Sequence, residues 1–96
     1  VTFQEINPLA SPCYSYFPVI FKNEAQRIKV QDKLNQNDIF PRRYFFPSLD
    51  TLSYIEPKQI CPISRDISGR VLALPLYPAL QEDEQTLIID SIKKVL

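Results

Sequence analysis

The spacing of apolar and polar positions changes period several times along this chain, and each change marks an element. Residues 13–21, CYSYFPVIF, are dense in aromatic and β-branched side chains and predict a strand. Pro18 lacks an N–H, so it is expected at an edge position or a bulge. A polar stretch follows, KNEAQRIKVQDKLNQND, punctuated by Ile28, Val30 and Leu34. Asn23 can cap it and Gln26 stands three residues later, which predicts a surface helix ending near residues 35–37. IFPRRYFF, 39–46, reads as extended, and SLDTLSYIEPKQ after Pro47 reads as loop.

The second half repeats the alternation of element types. In CPISRDISGRV, Pro62 suits a first helical position, and Ile63, Ile67 and Val71 recur every fourth residue, predicting a short helix. VLALPLYP predicts a buried strand limited by Pro75 and Pro78. In QEDEQTLIIDSIKKVL, Glu82, Asp83 and Glu84 occupy a first turn and Lys93 and Lys94 a last one, complementing the helix dipole. Ile88, Ile92 and Val95 share one face of that helix. The opening residues, VTFQEINPLASP, give a short strand over Val1 to Glu5 and then a turn-rich linker. The order strand, helix, strand, helix, strand, helix predicts an α+β fold. Its expected form is a two-layer sandwich, a small three- to four-stranded, mostly antiparallel sheet with helices on one face.

Composition narrows the function. Ninety-six residues suffice for one domain with one core. At 45% hydrophobic and 23% charged, the chain signals neither disorder nor a membrane protein. Eleven basic side chains balance eleven acidic ones, so no global field draws nucleic acid or an anionic membrane. No methionine is present, and the string reads as a piece of something longer. No signal-peptide pattern is visible, which leads to the expectation of a cytoplasmic protein with Cys13 and Cys61 as reduced, buried thiols.

The missing chemistry is as informative. Without histidine there is no triad and no imidazole base; two distant cysteines make no zinc site; the sole glycine, Gly69, leaves no glycine-rich phosphate cradle. The chain is therefore expected to carry no catalytic residue and no metal. What remains is FPRRYFFPSL, 40–49. Strand alternation would set Phe40, Arg42, Tyr44 and Phe46 on one side and Pro41, Arg43 and Phe45 on the other. A guanidinium beside rings can fork onto a phosphate or carboxylate while a ring stacks on a sugar or base. The same residues also suit a core of phenylalanines with both arginines reaching solvent or acids such as Asp50. Arg65, Asp66 and Arg70 read as a solvated helix face, and Tyr14 and Tyr16 as core packing with a groove as the alternative.

Taken in order, YFPVIF, IFPRRYFFPSLDTL and CPISRDISGRVLALPLYPAL, followed by an amphipathic final helix, resemble the carboxy-terminal portion of the DegT/DnrJ/EryC1/StrS family. These are pyridoxal-phosphate-dependent aminotransferases acting on nucleotide-linked keto-sugars. The resemblance implies the small domain of a fold-type I aminotransferase over residues 13–96, with 1–12 as a linker carrying a short edge strand. It implies a missing N-terminal cofactor domain as partner, a homodimeric parent and a dTDP-linked sugar substrate. It makes Arg42, Arg43, Tyr44 and Phe45 candidate substrate-binding residues. The lysines at 22, 29, 33, 58, 93 and 94 fall on surface helices or loops, so pyridoxal phosphate is expected in the parent and not in this piece. The competing expectation is an independent α+β module that binds a small ligand or single-stranded nucleic acid with its rings and arginines.

Overall fold

In the computed structural model, which describes residues 1–96, three strands form one antiparallel sheet in the order β1 (Thr2–Phe3), β2 (Phe17–Ile20), β3 (Val71–Leu74). Val19 lies opposite Leu72, and Phe3 opposite Val19 on the other side. Pro18 sits on the middle strand, not at an edge or bulge as its missing donor suggested. Its partner Ala73 directs both backbone groups away, to Arg42, at 3.0 and 2.8 Å. The Pro18–Ala73 pair is therefore a non-hydrogen-bonded one, and the absent N–H removes nothing from the β2–β3 ladder. On the other flank β1 has already ended opposite Val19.

Three helices complete the fold: α1 (Glu24–Gln36), α2 (Pro62–Arg70) and α3 (Glu82–Lys93), with a 3₁₀ turn at Leu49–Thr51. Asn23 caps α1, its Oδ1 accepting from the Gln26 amide at 2.8 Å. Gln26 Oε1 accepts in turn from Lys22 N at 3.0 Å, so the capping pair closes on the residue before the cap. Pro62 stands at the start of α2. At α3, Glu84 Oε2 accepts from the Gln81 amide at 2.8 Å.

Val19, Phe21, Val30, Leu34, Leu72 and Ile88 form the core, with Ile39, Leu74, Leu80, Ile92 and Val95 packed around it. One sheet face thus meets α1 and α3, giving the α+β small domain anticipated from the element order. Only thirteen of 96 residues are buried, so each core side chain, worth about 1.5–3 kcal/mol when fully covered, carries a large share of the stability. Asn37 Nδ2 donates to Ser91 Oγ at 3.1 Å, and Arg27, 5% exposed, donates from Nε to Gly69 O at 3.1 Å. These bonds tie α1 to α3 and to α2.

Three expectations are corrected. The extended run 39–46 is not a strand; only Arg42 makes a β-bridge, to Ala73, and the chain turns at Tyr44–Phe45. The strand expected from residue 13 begins at Phe17. Tyr14 and Tyr16 are exposed, as is Ile63.

The end of α1 holds an unusual residue. Asp38 has φ 59°, Ile39 N donates to Leu34 O at 3.0 Å, and Asp38 N donates to Asn35 O at 3.1 Å. This is the Schellman arrangement, with Ile39 packed back toward the core, and glycine suits its left-handed position best. Asp38 also sets a negative charge at the negative end of the helix dipole. Asp38→Gly is expected to stabilise the domain by about 0.5–1 kcal/mol in a denaturant titration. Asp38→Ala, which keeps a Cβ in the left-handed region, should give less or no gain.

Candidate functional site

Ala73 and Arg42 exchange backbone hydrogen bonds, and this anchors the arginine against the end of β3. Beside it, where Pro75 stops the strand, a cavity of about 230 Å³ opens. Arg42, Tyr44 and Phe40 line one wall, Ser15 and Tyr16 a second, and Ala73 to Leu76 the floor. Tyr14, left-handed at φ 53°, redirects the chain just before Ser15 and Tyr16 reach the cavity. The Tyr16 ring lies 5.2 Å from that of Tyr44 and 5.6 Å from that of Phe45, the latter edge-on at 82°. Such contacts contribute about 0.5–1.5 kcal/mol each and hold the rings in place.

The two arginines diverge. Arg42 is exposed at the cavity, and its guanidinium has no hydrogen-bond or ion-pair partner within the chain. Arg43 faces the other way: NH2 donates to Ser68 O at 3.1 Å, the guanidinium lies 3.7 Å over the Phe46 ring, and its buried Nε has no acceptor. Burial, then the nearby Arg27 guanidinium, pull Arg43 below the ordinary value, against the opposing pull of Glu24. Of the four candidates, Arg42 and Tyr44 therefore line the cavity, Phe45 supports Tyr16, and Arg43 is turned onto the end of α2. Tyr16, Ser15 and Phe40 join a site whose sequence candidates lay only in 42–45.

Asp50 fixes the loop beyond. Its carboxylate, 5% exposed, accepts from Ser48 Oγ, from the Cys61 amide at 2.7 Å and from Arg65 Nε at 2.6 Å. Ser48 also shares a hydrogen bond with Ser64 Oγ at 2.7 Å. The chain from Ser48 to Asp50 is thereby bound to the first turn of α2. Asp66 and Arg70 pair along the helix at 2.8 Å, while Arg70 NH1 donates to Phe21 O at 2.7 Å. The face read as solvated thus holds α2 to neighbouring segments.

Both cysteines are free, and both are exposed rather than buried, because residues 13 and 61 lie in surface loops. The Ser15 hydroxyl and amide hold the Cys13 thiol below its usual value. No cluster of three or more His, Cys, Asp or Glu side chains gathers anywhere, and no helix is long and apolar enough to cross a membrane. No lysine lines the Arg42 cavity; Lys58 instead donates to Leu52 O and Ser53 O. That cavity therefore offers no amine for a Schiff base with pyridoxal phosphate.

The profile of the DegT/DnrJ/EryC1/StrS aminotransferase family matches residues 2–93. A dTDP-4-amino-4,6-dideoxy-D-glucose transaminase of Shigella dysenteriae is 30% identical over 87 residues, 85% of this chain and 24% of that protein. One of the same name from Escherichia coli is 29% identical over 90 residues, 86% of this chain and 23% of that protein. The chain thus spans about a quarter of the length of these relatives. No solved structure gives a significant match.

The Ser48 hydroxyl, then the Cys61 amide and Arg65, lower the Asp50 carboxyl to about 2. An unfolded aspartate titrates near about 3.9, so the stabilisation from Asp50 is complete above that pH and fades as pH falls toward 2. The Cys61 amide resonance is expected to follow this titration, with its midpoint near 2 in the native chain. In Asp50→Asn the titration should vanish and the 48–61 loop should exchange its amides faster at neutral pH. A Cys61 amide that titrates near 4 in the native chain would contradict the geometry.

Proposed function

The chain belongs to the DegT/DnrJ/EryC1/StrS aminotransferase family, and we propose that it is the carboxy-terminal small domain, residues 13–96 with its leading linker, of a pyridoxal-phosphate-dependent enzyme acting on a dTDP-linked keto-sugar. The reading rests on the family match over nearly the whole chain and on the substrate named for the two relatives. On this reading the parent is a cytoplasmic homodimer, and its cofactor domain lies outside this chain. Pyridoxal phosphate bound there supplies the electron sink for amino transfer, and these residues take part only by binding.

The observation that carries the site is the unpartnered Arg42 guanidinium beside Tyr16 and Tyr44. Its forked donors suit the oxygens of a diphosphate or carboxylate, while the two rings offer faces to a sugar. Leu74 and Leu76 add apolar surface to the floor beside the guanidinium. Arg42 and Tyr44 are assigned to contact the sugar nucleotide, with Phe45 and Tyr16 shaping the wall. Arg43 is assigned to position them: pinned between Ser68 and Phe46, it fixes the turn at Tyr44–Phe45.

A hydrogen bond to a charged group contributes about 1.5–3 kcal/mol, roughly 10- to 150-fold in affinity. Steady-state kinetics of the parent should therefore show Arg42→Ala raising KM for the sugar nucleotide by about tenfold or more, with kcat changed far less. Arg42→Lys, which keeps the charge and loses the fork, should fall between. An unchanged KM in Arg42→Ala would remove Arg42 from the site.

A further inference from the structure

A second and larger concavity lies away from Arg42, between the sheet and α3. It measures about 630 Å³, and twelve of its sixteen lining residues are hydrophobic, a lining that suits an apolar occupant. Phe3 and Phe17, rings 5.9 Å apart, form one wall; Ile89 and Leu96 form the other; Val19 and Ile88 of the core lie beneath. The wall residues remain 45–56% exposed. The cleft is therefore core surface without a cover, and its lining includes Lys93 as its one charged side chain.

The position of Val1 singles out the occupant. Val1 itself lines the cleft, so any residue joined to its amide starts only about 3.8 Å away, Cα to Cα, at the cleft wall. We propose that this cleft seats the polypeptide segment that directly precedes Val1 in the parent protein, an amphipathic stretch whose apolar side meets Phe3, Ile89 and Leu96. The proposal rests on the reading that this chain is one domain of a longer aminotransferase. A connection of about 4–6 residues followed by an average helix of about 12 places the occupant within roughly 20 residues of Val1. A second copy of the chain competes poorly for the same surface. A tethered segment acts at a millimolar effective concentration, whereas a separate molecule must bind at its own, lower one. The β1 edge beside the cleft, only two residues long, offers little further strand pairing to hold a second molecule.

The test places the photo-crosslinking residue p-benzoyl-phenylalanine at Ile89 of the full-length parent and, separately, at Leu96, in case the first disturbs folding. Products are mapped by peptide mass spectrometry. The expected result is an intrachain cross-link to a peptide within about 20 residues before Val1, from both positions. A covalent dimer, a cross-link to a remote part of the chain, or no cross-link in a protein that keeps its activity would each overturn the proposal. A parent that transaminates a sugar nucleotide but gives one of those products refutes the cleft assignment alone. A gene with no coding sequence before Val1 refutes both this assignment and the reading beneath it.

Discussion

The register of β2 against β3, with Val19 opposite Leu72, is the constraint on which the rest of the domain depends. Side chains alternate faces along a strand, so a slip of one residue would carry Val19, Phe21 and Leu72 away from α1 and α3 and dissolve the core. The same register decides which way each backbone group points. It turns the N–H and C=O of Ala73 away from Pro18 and toward Arg42, which makes a proline acceptable on a middle strand. The arginine at the cavity is thus held by the pairing that builds the core. Stability and the candidate site share one origin.

Around that frame the structure spreads more than a closed domain would. Its radius of gyration is 15.1 Å, against about 13 Å for a compact domain of 100 residues. Large apolar side chains stay exposed in several regions, among them Phe3, Ile89 and Leu96 about the α3 cleft, Tyr16, Phe40 and Tyr44 about the Arg42 cavity, and Leu49, Tyr54, Ile60 and Ile63 about the loop leading into α2. About α2 and the loop before it, ion pairs and hydrogen bonds hold the backbone where burial does not. Asp50 gathers Ser48, Cys61 and Arg65, and Arg27 and Arg43 cap the carbonyl end of α2. Positive groups there also suit the helix dipole. The domain is locally ordered and globally uncovered, the condition expected of one unit of a larger assembly.

Much of this was legible in the residues. Asn23 with Gln26, Pro62 at a helix start, and the acid-to-base order from Glu82 to Lys93 each name a helix through its ends, and all three helices lie where those signals fall. The end of α1 was legible only to within two residues, because an aspartate occupies the left-handed place where glycine would have announced the stop. Rings misled more. FPRRYFF has the composition of a strand, yet Pro41 and Pro47 and the turn at Tyr44 leave it one bridge, and the alternation assigned to it holds only as far as Arg43. Phe46 then lies over Arg43 instead of beside Arg42. Composition cannot tell a ring that fills a core from one that waits for a covering surface, so the sequence favours core packing for Tyr16 with a groove as the alternative, and the ring stands at the cavity. The resemblance carried by PRRYFFPSL and LALPLYP supplied what local pattern could not, the family to which the fold belongs.

We propose that the wall built by Arg42, Tyr44 and Tyr16 receives a sugar nucleotide. A crystal structure of the full-length protein with a dTDP-sugar bound tests it most directly. The expected result is an Arg42 guanidinium nitrogen within hydrogen-bonding distance of a ligand oxygen and the Tyr16 or Tyr44 ring packed against the ligand. A ligand seated elsewhere, with Arg42 still facing solvent, would contradict it.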